Sequence, residues 1–182
     1  NKFIEKLFDT IVPIHSTLSG GDEIEISYKP KISLSQSNIN NLNREQLEGL
    51  IKENLIKFRT LEISQGTSLI GPHRDDIEIK FNGQIANGYA SRGQSRIITL
   101  SMKLSEAELL KELTGYSPIL ALDDILSELD EDKRKIVLGT LGNYEQVLIT
   151  STDTFFLQKI NLPKISIYNI SNGKITKIQL QK

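Results

Sequence analysis

Two short apolar runs constrain the fold of this chain most. ILAL occupies residues 119–122 and VLI occupies residues 147–149. Continuous apolar runs of this length are typical of strands covered on both faces of a parallel sheet. Between them, residues 131–143 have the spacing of a crossover helix that ends near Gly142 or Asn143. The pattern predicts a βαβ unit and therefore an α/β fold.

Three further helices are predicted from apolar residues at helical spacing. The first opens the chain and ends near Pro13, because proline disrupts a helix interior; His15, just beyond it, is interpreted as an unremarkable helix-end residue. The second covers residues 44–61 and the third covers residues 94–113. In the third helix we expect a broad buried face that extends as far as Leu113.

Alternating segments predict strands and hairpins around these helices. Residues 23–30 alternate like a half-buried strand, and the polar segment 33–41 follows as a loop. Two further alternating stretches are centred on Asn-Gly pairs, at residues 82–83 and 172–173. Asn-Gly between alternating segments is a strong signal for a two-residue hairpin turn, so we predict a β-hairpin at each pair.

Composition limits the partners and the compartment. The 182 residues suffice for one domain with a subdomain. The absence of cysteine excludes disulfides and thiolate metal sites, and it fits the reducing cytoplasm, which is the predicted location. The formal net charge of −1 provides no global basic field, so any contact with DNA must be local. No apolar run is long enough to span a bilayer, so no membrane partner is expected.

Paired acids follow the first apolar run directly, at Asp123 and Asp124. In an open α/β sheet, ligands bind beyond the carboxyl ends of the strands. One carboxylate there could hold Mg²⁺, and its neighbour could orient or deprotonate a water molecule. The alternative is a turn or helix-capping pair, since aspartate is common after strands.

The turn ASRGQSR, residues 90–96, immediately precedes the third helix. The hydroxyl of Ser91 and the backbone N–H groups of a helix N-terminus could bind an anion. Gly93 would allow a close approach of the backbone that a Cβ atom would block. Read alone, the turn is interpreted as a helix cap, and only its combination with the other motifs favours anion binding.

The segment GPHRDD, residues 71–76, has three interpretations. His73, Asp75 and Asp76 could form a metal cluster, although adjacent residues on a strand point to opposite faces. A structural role is the second, with the Gly-Pro pair fixing a bend and Arg74 paired to an acid. In the third, His73 or Arg74 faces a nucleotide or DNA.

Taken in order, these motifs resemble those of the ABC-type ATPases. ASRGQSR resembles their signature motif, ILALDD their Walker B strand, SELD their D-loop and VLITSTD their switch segment. With GPHRDD, the combination is similar to the RecF family over about residues 59–182. The resemblance implies the carboxy-terminal lobe of a P-loop ATPase, a parallel sheet with flanking helices and β-hairpins, over residues 63–182. Residues 1–62 would be the remnant of an α/β arm subdomain.

The resemblance also implies the residues that contact ATP. Ser91, Gly93 and Gln94 would contact the γ-phosphate of a nucleotide held by the opposite subunit. The implied nucleotide-binding set as a whole is Ser91, Arg92, Gly93, Gln94, Asp130 and Thr152, with Arg96 beside the turn. Asp130 would lie in the D-loop at the dimer interface. Thr152 stands where a switch histidine is common, so sensing of the γ-phosphate by an imidazole is not expected here.

The paired acids receive distinct roles by the same resemblance. Asp123 would be the Walker B carboxylate that is linked to Mg²⁺. Asp124 would be the catalytic residue, at a position where many ABC proteins have glutamate. Because aspartate is shorter, it would position water from farther away, and slow hydrolysis is the expected consequence.

The function implied by the resemblance is ATP-dependent DNA binding in replication and in recombinational repair of gaps. ATP would drive homodimerisation around double-stranded or gapped DNA, with RecR and RecO as partners in loading RecA and a role in the SOS response. The whole protein would be a slow DNA-dependent ATPase. No GxxxxGK[ST] loop occurs in the chain, so we expect the loop upstream of it and expect the chain alone to be inactive.

Other functional classes stay open on the sequence alone. One is the head of another ABC-type ATPase, of the SMC, Rad50 or transporter kind, although GPHRDD and the lack of long heptad arms count against it. A second is a metal-dependent phosphohydrolase or nuclease that uses His73, Asp75 and Asp76 of GPHRDD and the pair at residues 123–124. Tight Mn²⁺ binding without ATP would identify this class. A third is an interaction module without catalysis.

Overall fold

The computed structural model describes residues 2–31, 42–152 and 165–178. The chain divides into two compact units, one formed by residues 1–24 with 81–182 and the other by residues 25–80. The predicted polar loop at 33–41 and the last residue of VLITSTD lie outside the described residues. The proposed domain boundary between residues 62 and 63 stays a prediction.

The elements confirm the α/β class. The helices are α1 (Lys2–Ser19), α2 (Arg44–Gln65), α3 (Arg92–Thr114) and α4 (Glu131–Leu141). The strands are β1 (Ile24–Lys29), β2 (Asp76–Phe81), β3 (Gln84–Ile85), β4 (Leu120–Leu122), β5 (Val147–Ile149), β6 (Ile167–Ser171) and β7 (Lys174–Ile178). The sheets have the orders β1-β2-β3, β4-β5 and β6-β7. Strands β4 and β5 are parallel and α4 connects them, so the predicted βαβ unit is confirmed. Among the described helices, none has the length and apolar character needed to cross a lipid bilayer.

Helix α1 continues through Pro13, so the predicted end near that residue is wrong. A proline inside a helix removes one backbone hydrogen bond and costs about 3 kcal/mol. The helix persists because its apolar face is buried on both sides of the proline: Ile11 and Leu18 have no exposed surface, and α1 packs on α3. Complete burial of each such side chain contributes about 1.5–3 kcal/mol, which offsets the cost of the proline.

His15 is also buried in this face, so its interpretation as an unremarkable helix-end residue is wrong. Its ring Nδ1 lies 3.2 Å from the Oγ of Ser101 on α3. The rings of His15 and Phe81 are in edge-to-face contact, with their centroids 6.1 Å apart. Burial lowers the pKa of His15 below its ordinary value, because the charged imidazolium would lose its hydration.

Helix α3 is the central element of the first unit, and its prediction is confirmed. Ser91 caps its N-terminus and Gly115, in the left-handed conformation, caps its C-terminus. Its buried residues are Ile97, Ile98, Leu100, Ser101, Leu104, Ser105, Ala107 and Leu109. The predicted extension of the buried face to Leu113 is wrong, since that side chain is 64% exposed. Leu110 and Tyr116 are exposed beside it, so the last turn of the helix lies beyond the core.

The core of the first unit lies between α1, α3, α4 and one face of the parallel strands. Its buried members are Leu18, Ile97, Leu100, Leu104, Ala107, Leu120, Leu126, Leu129, Val137, Leu138 and Leu141. Leu120 and Leu122 point into this core, whereas Ala121 and Leu148 are exposed. Adjacent residues of a strand alternate between faces, so the helices cover only one face of β4 and β5. The expectation that both faces are covered is wrong for the part of the chain that the structure describes.

Both predicted Asn-Gly hairpins are confirmed. Asn82 and Gly83 have φ values of 47° and 78°, and Asn172 and Gly173 have values of 49° and 73°. Two successive residues with positive φ form the type I′ turn, whose twist matches that of the flanking strands. Strands β6 and β7 pair in antiparallel register from Ile167 opposite Ile178 to the turn.

The second unit contains helix α2 and most of strands β1 and β2. The helix begins with a capping box formed by Asn43 and Gln46, and Gly66 in the left-handed conformation ends it. It is therefore confirmed and extends to Gln65, past the predicted end at residue 61. The strand predicted at residues 23–30 is confirmed as β1.

Candidate functional site

The paired acids emerge where two parallel strands end together. Leu122 and Ile149 are the last paired residues of β4 and β5, and Thr150 N donates to the carbonyl of Leu122 at 3.0 Å. Asp123 and Thr150 thus follow their strands at the same edge of the sheet. The Thr150 hydroxyl donates to the carboxylate of Asp123, and Asp124 N donates to Thr150 Oγ1 at 3.0 Å. The expected position of the acids at the carboxyl edge is confirmed.

The backbone of Asp124 has an unusual conformation that several contacts maintain. Its φ of 46° lies in the left-handed region, which is rare for residues other than glycine. Its carbonyl accepts hydrogen bonds from Arg96 Nη1 at 2.8 Å and from Ser127 Oγ at 3.1 Å. Its side-chain Oδ1 is buried and has no hydrogen-bond partner among the described residues. A buried acceptor of this kind is a place for a cation or a water molecule.

The turn before α3 forms a complete capping box. Ser91 Oγ accepts from Gln94 N at 3.3 Å, and Gln94 Oε1 accepts from Ser91 N at 2.8 Å. The interpretation of this turn as a helix cap is therefore confirmed. Binding of an anion by the same residues stays a prediction. Ser91 and Arg92 are exposed, so neither is committed to the core.

Gly93 lies close to the segment that follows the acids. A Cβ atom at this position would be 3.2 Å from the carbonyl oxygen of Glu128. The chain's own backbone therefore disfavours a side chain here, independently of any ligand. Arg96 joins the same two elements, because its Nε lies 3.0 Å from Glu128 Oε2 and its Nη1 donates to the Asp124 carbonyl. The helix cap consequently lies close to the paired acids and to the segment that follows them.

Arg134 also holds the segment between the acids and α4. It donates to the carbonyls of Leu126 at 2.8 Å and Ser127 at 3.2 Å. Asp130, assigned by resemblance to the dimer interface, caps α4 by accepting from Lys133 N at 2.8 Å. Asp130 is exposed, and its role at an interface stays a prediction.

Thr150 is not among the site residues predicted from the sequence, which include Thr152 instead. Thr152 is exposed, and in the described residues it is the Thr150 hydroxyl that contacts both aspartates. The signal for Thr150 was present in the strand register. If ILAL and VLI are aligned as neighbouring parallel strands, the residues that follow them are adjacent in space. The role of Thr152 toward a nucleotide stays a prediction.

GPHRDD lies in the second unit and has a structural role. Gly71 has a φ of 134°, and the short 3₁₀ turn Pro72–Arg74 follows, so the predicted bend is confirmed. This φ is one that residues with a side chain rarely adopt, and a Cβ atom on Gly71 would also be 2.8 Å from the His73 ring, so both features favour glycine. Arg74 donates to Ser68 O at 2.6 Å and to Thr67 Oγ1, so its predicted pairing with an acid is wrong.

The aspartates of this segment are engaged by their own unit. Asp75 accepts from the Tyr28 hydroxyl and from Lys31 N, the latter at 2.9 Å. Burial and the hydrogen bond to Asp75 raise the pKa of Tyr28 to about 12. Asp76 accepts from Ile77 N at 2.8 Å. Across residues 2–31, 42–152 and 165–178, no group of three or more His, Cys, Asp or Glu residues could hold a metal ion. The metal-cluster interpretation of the segment is therefore not supported.

The acids at the strand ends fit a different kind of metal site. Mg²⁺ in nucleotide sites is bound by one or two carboxylates, with phosphates and water as the remaining ligands. Asp123 has one carboxylate oxygen engaged by Thr150 and is exposed. Asp124, the next residue, has a carboxylate oxygen without a hydrogen-bond partner in the part of the chain that the structure describes. Two neighbouring carboxylates of this kind suit a metal ion that arrives with a nucleotide.

Solved structures of low sequence identity share the fold of this chain. Over 98% of its length the chain matches a structure from a study of ATP-driven dimerisation of SMC ATPases, with a TM-score of 0.55, 14% identity and 87% of that chain covered. The Smc head domain of Pyrococcus furiosus gives a TM-score of 0.55 at 15% identity, with 98% of this chain and 36% of that chain covered. The fold is that of an ABC-type ATPase head. Protein-family models give no match to the chain.

Relatives of higher identity define the particular family. The DNA replication and repair protein RecF of Halothermothrix orenii is 37% identical over 164 residues, 90% of this chain and 43% of that protein. RecF of Gloeobacter violaceus is 35% identical over 176 residues, 96% of this chain and 46% of that protein. The structure of the recombination mediator RecF with ATP matches with a TM-score of 0.68 at 31% identity, covering 98% of this chain and 45% of that one. The chain is a relative of the RecF proteins and spans less than half of their length.

Proposed function

We propose that this chain is the part of a RecF-like DNA replication and repair ATPase that carries the signature, Walker B and D-loop motifs. The observation that carries the proposal is the connection between the helix cap and the acids. Gly93 approaches Glu128, and Arg96 bonds both Glu128 and Asp124. The helix cap and the paired acids, both of which an ATPase of this class would use at its nucleotides, are therefore held in one rigid cluster.

The acids would act on a nucleotide bound by the same subunit. Asp123 would hold Mg²⁺ through the oxygen that Thr150 leaves free. Bound Mg²⁺ would neutralise part of the phosphate charge and align the phosphates. The carboxylate of Asp124 would accept a hydrogen bond from the attacking water and orient it. An aspartate reaches less far than a glutamate, so hydrolysis would be slow.

The helix cap would act on the nucleotide of a second copy. Ser91 bonds only the third N–H of the helix, and the first N–H groups of a helix have no intrahelical acceptor. Those of Arg92 and Gly93 would therefore be available for the γ-phosphate, with the side chains of Ser91 and Gln94 beside them. Asp130 would lie against the second copy and Thr152 near the phosphate.

Several parts of the proposal concern the rest of the protein. A phosphate-binding loop would be supplied by sequence outside these 182 residues, consistent with the chain covering 43% and 46% of the two relatives described above. ATP would bring two subunits together on double-stranded or gapped DNA, and hydrolysis would release it. RecR, RecO and RecA are the proposed pathway partners, with a role in the SOS response and a cytoplasmic location.

The proposal is tested with the chain joined to the part that carries the phosphate-binding loop. We expect ATP to shift the protein from monomer to dimer in analytical ultracentrifugation, and DNA to stimulate slow ATP hydrolysis. Ser91→Arg should abolish the dimer, because a long cation would occupy the cap. Asn43→Arg is the matched control, since it destroys an equivalent capping box on α2. A wild type that stays monomeric with ATP, or a Ser91→Arg variant that dimerises normally, would contradict the proposal.

A further inference from the structure

Thr150 occupies a position that the sheet fixes firmly. Leu122 and Ile149 are the last paired residues of the two parallel strands, and Thr150 N donates to the Leu122 carbonyl at 3.0 Å. This bond continues the strand pairing by one residue and places Thr150 beside Asp123. A side chain attached to paired strands is held more rigidly than one on a loop, so Thr150 can act as a fixed reference for its neighbours.

The Thr150 hydroxyl bonds both aspartates with a defined polarity. A hydroxyl has one proton, which Thr150 donates to Oδ1 of Asp123. The oxygen of the same hydroxyl accepts the N–H of Asp124 at 3.0 Å. The donated bond restricts the rotation of the exposed Asp123 carboxylate. The accepted bond helps to hold Asp124 in its left-handed backbone conformation.

We propose that Thr150 is a positioning residue for the paired acids. Its hydroxyl holds Asp123 in one orientation, with one oxygen engaged and the other left for Mg²⁺, and it holds the backbone from which the Asp124 side chain projects. The inference rests on the proposed ATPase function and deepens it. Groups that orient metal-binding side chains in this way typically contribute a factor of about 10–100 in metal affinity or activity.

The test uses three variants of the full protein with its phosphate-binding loop. Thr150→Val keeps the branched shape and removes the hydroxyl, whereas Thr150→Ser keeps the hydroxyl. Thr140→Val is the control, because the Thr140 hydroxyl bonds only a carbonyl of its own helix, at 3.0 Å. We expect Thr150→Val to raise the Mg²⁺ concentration for half-maximal ATP hydrolysis at least about tenfold. Thr150→Ser and Thr140→Val should remain within about twofold of the wild type, a margin well below that expected loss.

A second measurement does not depend on ATP. Amide hydrogen exchange of Asp124 should accelerate in Thr150→Val and stay unchanged in Thr150→Ser, since only the former loses the acceptor of that N–H. An unchanged Asp124 amide in Thr150→Val would overturn the inference. An active wild type whose Mg²⁺ dependence is unaffected by Thr150→Val would also overturn it, and the proposed function would stand. If the wild type does not hydrolyse ATP, the proposed function is wrong, and the inference that rests on it is wrong as well.

Discussion

The buried pair formed by His15 and Ser101 gives the sharpest prediction about stability. Both residues have no exposed surface, and His15 Nδ1 lies 3.2 Å from Ser101 Oγ. The Ser101 hydroxyl donates its single proton to the Ile97 carbonyl at 2.7 Å. The hydroxyl oxygen can therefore only accept from His15, so the hydrogen of the neutral ring must be on Nδ1. Nε2 is then an acceptor, buried without a partner among the described residues.

Ser101→Ala removes the acceptor and leaves a buried N–H unpaired. Such a group costs about 1–3 kcal/mol, so we expect the free energy of unfolding to fall by that amount. His15→Leu removes both ring nitrogens, fills a similar volume and leaves the bond from Ser101 to Ile97 intact. We expect it to stay within about 1.5 kcal/mol of the wild type. The double variant should be more stable than Ser101→Ala alone, because no N–H remains to be paired.

The assay is urea unfolding of the four proteins at pH 7.5, followed by far-ultraviolet circular dichroism. For a chain of this length, 1 kcal/mol corresponds to about 2–4 °C in Tm, so thermal unfolding gives a second measure. Ser105→Ala is the matched control: Ser105 is equally buried on α3, and its hydroxyl bonds only the Ser101 carbonyl, at 2.7 Å. Equal losses for the two serine variants, or additive effects of Ser101→Ala and His15→Leu, would refute the reasoning.

Three further predictions concern pH, packing and backbone approach. Burial lowers the pKa of His15, so just below pH 6.5 the unfolded state binds more protons than the folded state does. The urea concentration at the unfolding midpoint should therefore fall when the pH is lowered from 7.5 to 5.5. The fall should be smaller in His15→Leu. Leu104→Ala, at a fully buried core position, should cost about 2–5 kcal/mol in urea unfolding. Gly93→Ala places a Cβ 3.2 Å from the Glu128 carbonyl and should destabilise by about 1 kcal/mol, whereas Gly49→Ala on α2, with open space around it, should stabilise by about 0.5–1 kcal/mol.

Elements with a strong local signal could be predicted from the sequence. The Asn-Gly hairpins follow from the positive φ values that asparagine and glycine tolerate. Helix α3 follows from its capping box and apolar stripe, and the strands ILAL and VLI follow from their continuous apolar character. Each of these signals lies within one segment of the chain, and no distant residue is needed to read it.

Two errors in α1 have a common cause in tertiary packing. Pro13 ends an isolated helix, but burial of Ile11 and Leu18 against α3 keeps the helix intact. His15 lies at helical spacing between those two residues, on the same face. Its position in the apolar stripe indicates burial, but only if the helix continues past Pro13. A helix that is predicted to end at Pro13 does not include His15. Local propensity is a weak prior where a long apolar face is buried.

The candidate site was only partly predictable, because its geometry depends on contacts between distant segments. The sequence identified the acids and the helix cap, which are recognisable by residue type. It did not show that Arg96 bonds the Asp124 carbonyl, nor that Thr150 contacts both acids, since these partners are separated by 28, 26 and 27 positions. Such bonds decide the orientation of the acids. A motif in the sequence therefore specifies which groups are present. Their orientation is specified by the parallel register of β4 and β5 and by the hydrogen bonds of Arg96.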